Sequence, residues 1–320
     1  KQAWNGRPGY APSTVEPGQY SVLRAKGDGL GVLVVVLVVK VFQNMSYQID
    51  IGFPGGNVVV EEIHGDSIRM HQDLRDTPHD WFYWCFRVRG AAGRTLRFTF
   101  TRSRALGVRG PALSRDGGRT WVWLGAEVVD GNGFSTRFGA GDDDVRLSFA
   151  MPYQEHHWVH SVSGLGDSPV LSCRKLCTTE QGREVEVVFA GCQKAEPQHR
   201  VVITCRHHCC EMMANYALEG FIKSLVVGAS DTSRWLREKV QILIVPFVDK
   251  DGVETGDQGK DRRPRDHGRD YEGESLYAST GALRRLLPAW GQGRLRAVFD
   301  LHCPHIAGPH NEVIYLVGSA

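Results

Sequence analysis

At 320 residues the chain is long enough for two domains with cores of their own, and 42% hydrophobic with 23% charged residues describes an ordinary soluble globular protein. A formal net charge of +2, with no basic tract interleaved with aromatics, argues against nucleic acid as a partner. The strongly apolar run from Leu30 to Val39 is about half the length a bilayer span needs, so no membrane partner is expected either.

Residues 1–44 read as a disordered or non-native N-terminal extension. Lys1 to Gly29 is rich in Gly, Pro and polar residues without a period. The apolar run that follows has a valine core and no small-residue cleavage site before Met45, so a strand suits it better than a signal peptide. Met45 is a candidate for the natural start.

From 45 to about 160 the pattern is β. Trp84, Phe86 and Val88 alternate with Arg87 and Arg89, and Leu96, Phe98 and Phe100 with Arg97, Thr99 and Thr101. Turn residues recur at Gly90, Gly93, Asp116-Gly117-Gly118, Asp130-Gly131-Asn132-Gly133 and Gly139 to Asp144. An antiparallel β-sandwich is expected, with Trp81, Trp84, Trp121, Trp123 and Trp158 in its core rather than forming a carbohydrate platform. His156, His157 and His160 lack a nearby acidic or cysteine partner and read as solvent-facing linker residues.

Strands and helices alternate in the remainder, 161–320. Glu184 to Ala190, Arg200 to Thr204, Gln241 to Val248, Leu295 to Phe299 and Val313 to Val317 read as strands; Met212 to Val227, Ser233 to Lys239 and Leu276 to Leu287 read as helices. Gln241 to Val248 is apolar without alternation, which implies burial on both faces. The fold class is therefore α/β, with a mixed, mainly parallel sheet covered by helices on both faces.

Eight cysteines would allow four disulfides, but Cys209 and Cys210 are adjacent, so reduced thiols and a cytoplasmic address fit better. Cys85, Cys192 and Cys205 read as small buried apolar residues. Cys173 and Cys177 lack a second pair at metal-ribbon spacing.

The most crowded chemistry lies where the strand Arg200 to Thr204 gives way to Arg206-His207-His208-Cys209-Cys210-Glu211. His208 and Glu211, three positions apart, can turn an imidazole nitrogen and a carboxylate oxygen toward one ion such as Zn²⁺. Two ligands make half a site, and that spacing by itself is weakly specific. Ligands in open α/β sheets gather beyond the carboxyl ends of strands, and Arg296 to His302 supplies a second such end.

Taken in order, the strand, His208-Cys209-Cys210-Glu211, the helix, Val245 to Glu254, Arg265-Asp266-His267-Gly268-Arg269-Asp270-Tyr271 and Asp300-Leu301-His302 resemble the zinc metallocarboxypeptidases. Order and spacing are most like the cytosolic carboxypeptidase branch and its bacterial relatives, over roughly Trp81 to Ala320. The resemblance implies a carboxypeptidase-like catalytic domain at 161–320 behind a β-sandwich companion at 45–160. It also implies one Zn²⁺ per chain on His208, Glu211 and His302, with one position left for water. His207 and His305 are the rival ligands.

Family likeness assigns Arg269 to the substrate's terminal carboxylate, with Gly268 standing where an asparagine is expected. The family's oxyanion-stabilising arginine would fall near Gly259, so the resemblance implies that Lys260 or Arg262 substitutes, unless that loop is simply solvated. The family's general-base glutamate is expected beyond Ala320, with Glu312 structural, so hydrolysis by this chain would be impaired. The implied function is a zinc-dependent carboxypeptidase that removes C-terminal residues from peptides or protein tails, acidic ones among them, through a metal-activated water. Alternatives are a zinc deacylase of N-acyl amino acids on the same fold, or a catalytically impaired peptide-binding pseudoenzyme.

Overall fold

A computed structural model describes residues 47–194, 196–306 and 308–317. The expectations for residues 1–44, and Met45 as a start, lie outside the described residues. Residues 44–320 form one compact unit.

The alternating segments become ten short strands: β1 (Gln48–Asp50), β2 (Val59–His64), β3 (Ser67–His71), β4 (Cys85–Arg89), β5 (Thr95–Phe100), β6 (Ala112–Ser114), β7 (Val122–Trp123), β8 (Val129–Asp130), β9 (Gly133–Arg137) and β10 (Asp144–Ser148). They make two five-stranded sheets, ordered β1-β4-β10-β6-β7 and β2-β3-β5-β9-β8. The first is antiparallel throughout. The second departs from the antiparallel expectation, because β3 and β5 run parallel. The chain leaves this sheet after β3, runs β4 in the other sheet and returns in its original direction.

Alternation sends Trp84, Phe86 and Val88 from one sheet, and Leu96, Phe98 and Phe100 from the other, into a shared interior where each is at most 1% exposed. Trp84 lies 4.9 Å from the Phe100 ring and 5.8 Å from Phe134, while Phe86 meets Phe98 at 5.2 Å. Each phenylalanine so buried is worth about 1.5–3 kcal/mol. Of the five tryptophans assigned to the core, Trp84 and Trp158 are buried; Trp81, Trp121 and Trp123 are partly exposed.

The three histidines read as linker residues lie instead on a helix, α1 (Glu155–Ser163). A capping box that propensity does not announce starts it. The Gln154 side chain accepts from the His157 backbone, and the His157 ring accepts from the Gln154 N–H at 3.1 Å.

There follow β11 (Leu171–Thr178), β12 (Glu184–Gly191), β13 (His199–Cys205), α2 (Met213–Val227), α3 (Asp231–Lys239), β14 (Val240–Val245), α4 (Lys250–Thr255), α5 (Ala278–Gly291) and β15 (Leu295–Leu301). The sheet order is β11-β12-β14-β13-β15. β13 is parallel to both neighbours, whereas β11 with β12 and β12 with β14 are antiparallel, so the sheet is evenly mixed rather than mainly parallel. A tight connection from β11 to β12 forces an antiparallel pair, while the helical crossovers α2 and α3, then α4 and α5, permit parallel ones.

Both faces of this sheet are covered. Ile242 and Ile244 of β14 pack with Leu218 and Ile222 of α2, and the alternate Leu243 and Val245 pack with Leu283 of α5. The α2 side is continuous with the interior of the β-rich part, since Trp84, Trp158, Ile203 and Leu218 belong to one buried cluster.

Two boundaries differ from expectation. Helix α5 runs through Pro288 to Gly291 instead of ending at Leu287. The proline sacrifices one backbone bond, but Trp290 donates to Gln241 at 2.9 Å and packs near Phe189, which holds the last turn on the sheet. Val313 to Val317 is not a strand and is exposed, because β-branched residues need a pairing partner and no described strand offers one.

Candidate metal centre

Parallel pairing of β13 with β15 sets Cys205 opposite Leu301, so both chains leave the sheet at the same end and side by side. The turn after β13 is wound around its own arginine. Arg206 adopts a left-handed φ of 63° and buries its guanidinium. Nε donates to Cys209 O at 2.9 Å, and Nη1 to Tyr153 O at 2.8 Å and Asn215 Oδ1 at 2.9 Å. A strained non-glycine backbone and a buried cation are tolerable here because every donor named finds an acceptor. The result holds the His208 to Glu211 turn against α2.

His208, Glu211 and His302 converge, with one potential ligand atom from each lying within 4.8 Å of the others. Glu211 is 3% exposed and sits between the rings. Its Oε1 is 3.0 Å from His208 Nδ1, and its Oε2 is 2.6 Å from His302 Nδ1. The Cys303 N–H donates to Oε2 at 3.2 Å.

The outer ring nitrogens complete the pattern. His208 Nε2 lies 3.1 Å from Asp266 Oδ2, and His302 Nε2 lies 2.7 Å from Asp300 Oδ2. Ionised carboxylates only accept, so both nitrogens of each ring carry hydrogens, Nε2 toward its aspartate and Nδ1 toward Glu211. Burial works against charge on His208, but the Asp266 and Glu211 hydrogen bonds outweigh it and raise its pKa to about 9. Burial likewise opposes charge on His302, and Asp300 with Glu211 lifts it to about 10. Glu211 is pushed up by burial and pulled further down by the two histidines, ending well below the usual carboxylate range. Two imidazole nitrogens and one carboxylate, with both rings backed by acids, fit a zinc ion.

The other residues singled out in the sequence fall in different places. His207 is buried and turned away, with Nδ1 2.7 Å from Asp300 and Nε2 2.7 Å from the Tyr271 hydroxyl. His305 is exposed. Neither belongs to the cluster.

Lys260 and Arg262 separate. The Lys260 ammonium lies 3.5 Å from Glu211 Oε1 and 4.8 Å above the Trp81 ring. Arg262 turns inward to an acidic nest, 2.7 Å from Asp249, 3.0 Å from Asp257 and 3.6 Å from Asp76. Its guanidinium is spent on structure, so of the two only Lys260 stands at the cluster. Spacing cannot distinguish them, because which way each side chain points depends on the acids brought from Asp76 and Asp249.

Gly268 lies beside His208: a Cβ there would be 4.0 Å from His208 Nε2 and 3.1 Å from Asp266 Oδ1. Arg269 is exposed on the same turn. Glu312 is also exposed and pairs with Arg109 of the β-rich part. A cavity of about 350 Å³ lies alongside, lined by Phe82, Trp123, Phe149, Met212 and Cys303 among others. Sequence reasoning missed Arg206, Asp266 and Asp300 as supports. The available signal was an acid two positions from an expected ligand at a strand end, and a lone arginine after an apolar run.

Residues 166–282 match the zinc carboxypeptidase family, a span that holds His208, Glu211, Lys260, Gly268 and Arg269. The chain is 26% identical to cytosolic carboxypeptidase 2 of Danio rerio over 239 residues, covering 64% of this chain and 33% of that protein. It is 25% identical to cytosolic carboxypeptidase 3 of Mus musculus, covering 68% and 25%, and 23% identical to an uncharacterised protein of Zymomonas mobilis, covering 65% and 55%. The chain thus spans about half or less of the length of these relatives. In fold it is similar to a metallo-carboxypeptidase from Burkholderia cenocepacia, with a TM-score of 0.68 at 23% identity over 80% of this chain and 70% of that one. A Pseudomonas aeruginosa metallo-carboxypeptidase, solved with (2-guanidinoethylmercapto)succinic acid, gives 0.67 at 20% identity over 82% and 71%. The four spaced motifs, the family match over residues 166–282 and these relatives agree in supporting a zinc carboxypeptidase domain in this chain.

Proposed function

We propose that the protein is a zinc-dependent carboxypeptidase acting on the C-terminal ends of peptides or protein tails. The observation that carries this reading is the convergence of His208, Glu211 and His302 at adjacent strand ends. These three would hold one zinc ion. When bound, zinc supplies Lewis-acid polarisation of a carbonyl and acidifies water. Asp266 and Asp300 hold the Nε2–H of His208 and His302, which leaves Nδ1 of each ring as the nitrogen that would release its proton and take the metal. Arg269, exposed one residue from Gly268, offers a planar fork to a terminal carboxylate, and the Lys260 ammonium offers positive charge beside the reacting centre.

The relatives named cytosolic carboxypeptidases support the peptidase reading, and the deacylase alternative gains nothing from them. All eight cysteines are free thiols, in keeping with the cytoplasmic address we infer. Among the described residues no helix is long and apolar enough to cross a membrane.

Purified protein should contain one zinc per chain by elemental analysis, and His208→Ala or His302→Ala should each lose it. Zinc retained by both variants refutes the ligand set. The substrate end is tested separately: a peptide with a free C-terminal carboxylate should bind about tenfold or more tighter than its C-terminal amide, the value of a charge-assisted pair, and Arg269→Ala should erase the difference. Equal binding of acid and amide by the unmodified protein removes the carboxypeptidase reading.

A further inference from the structure

We infer that His207, one residue before the first ligand and not a ligand itself, is a positioning residue for His302, acting through the Asp300 carboxylate; this rests on the zinc reading above. Of the two histidines in the cluster, His302 is the one that packing leaves loose. It follows β15, which among the described residues is an edge strand with every residue at least partly exposed, and its side chain is 37% exposed. His208 has firmer support, since its backing acid Asp266 also accepts from the Gly268 N–H at 2.7 Å and the Asp261 N–H at 3.0 Å. Among the described residues, Asp300 is held by side chains. Its Oδ2 backs His302 at 2.7 Å, and its Oδ1 accepts from His207 Nδ1 at 2.7 Å and Thr204 Oγ1 at 2.9 Å.

Hydrogen-bond polarity fixes the ring donors at Asp300. An ionised carboxylate accepts only, so His207 Nδ1 and His302 Nε2 both carry hydrogens. The second ring nitrogen of His207, Nε2, meets the Tyr271 hydroxyl at 2.7 Å. His207 is 3% exposed and so is held rigidly, as the support of an exposed ligand must be. Tyr271 lies two residues beyond Arg269, so the same chain of bonds runs from the turn that carries Arg269 to the third ligand. Removing His207 leaves Asp300 Oδ1 with Thr204 alone, and the carboxylate can rotate away from the His302 ring.

Three substitutions separate this role from bulk packing. His207→Phe keeps a flat ring and removes both hydrogen bonds. His207→Asn places an amide N–H near the position of Nδ1 and keeps the bond to Asp300. His207→Gln reaches instead toward Tyr271 and loses Asp300. The readouts are zinc dissociation constants by chelator competition, the visible spectrum of the cobalt-loaded protein, and the melting temperature of each metal-free variant.

Zinc affinity should fall about 10–100-fold in His207→Phe and in His207→Gln, and recover to within about threefold of the parent in His207→Asn, with the cobalt spectrum altered only in the first two. The positioning role is overturned if His207→Phe binds zinc as the parent does while His302→Ala does not. Should the phenylalanine variant fail to fold, the other pair decides: equal affinity of the asparagine and glutamine variants overturns it. Failure of the parent protein itself to take up one zinc per chain rejects the zinc reading, a different outcome.

Discussion

Gly268 is the residue whose replacement should say most about substrate recognition. Its backbone N–H is already used by Asp266, and it has no side chain to offer a terminal carboxylate. A Cβ at this position meets only Asp266 Oδ1 closely, at 3.1 Å, so an asparagine fits with a shift of a few tenths of an ångström. Gly268→Asn should tighten binding of peptides with a free C-terminus about tenfold, as one added hydrogen bond to a charged group of about 1.5 kcal/mol would, and leave the C-terminal amides unchanged. Isothermal titration of both peptide forms reads this directly. No gain for the free acid would mean that the terminal carboxylate sits elsewhere.

At the scale of an element, Asp270 organises the entry to α5. It is fully buried and accepts from Leu276 N at 3.0 Å, Tyr277 N at 3.1 Å and Arg265 Nη1 at 2.8 Å, as well as from the Thr280 hydroxyl. Burial alone would raise its pKa, but the donors from Leu276, Thr280, Tyr277 and Arg265 together lower it. A depressed carboxylate contributes stability that is full above the unfolded value of about 4 and is lost as pH falls through the folded one. Asp270→Asn should therefore cost about 1–3 kcal/mol in urea unfolding at pH 7, with the gap to the parent protein narrowing steadily below pH 4. A gap independent of pH would show that the charge is not what matters. The same turn carries Gly268 and Arg269, so loosening α5 also loosens the turn we propose for the substrate's terminal carboxylate.

For the whole molecule, the deciding feature is how the β-rich residues grip the loop between α4 and the candidate metal centre. Gln258 is fully buried, accepts from Tyr83 N at 2.9 Å and donates to Tyr83 O at 2.8 Å, in the manner of an added strand. Asp76 accepts from the Gln258 and Gly259 backbone at 3.1 and 2.8 Å, and Asn57 donates to Gly256 O at 2.7 Å. Lys260, next along this loop, is held over Trp81. We read 45–160 as a companion to 161–320 whose task is to fix this loop, and the two should unfold together. Gln258→Ala, which strands two buried backbone groups, should cost about 2–4 kcal/mol while keeping a single transition. Two separated transitions in the parent protein would show independent halves.

The sequence by itself determined most of the elements and the candidate ligands. Period-two alternation through Trp84 and Phe98, the apolar run of β14 and the spacing of His208, Glu211 and His302 are local signals, set by side-chain polarity and backbone geometry along one stretch of chain. Tertiary structure alone decided what those signals could not encode: the parallel β3–β5 pair, the even mixture of directions in the second sheet, and α5 running through Pro288. It also decided that Arg262 turns into an acidic nest while Lys260 faces Glu211, and that His207 stands behind Asp300. These outcomes depend on which distant acid, carbonyl or ring arrives opposite a given side chain, and such partners are separated by tens to hundreds of residues. Direction and partner are properties of the assembled sheet and its loops, so they become readable only once β13 and β15 lie side by side.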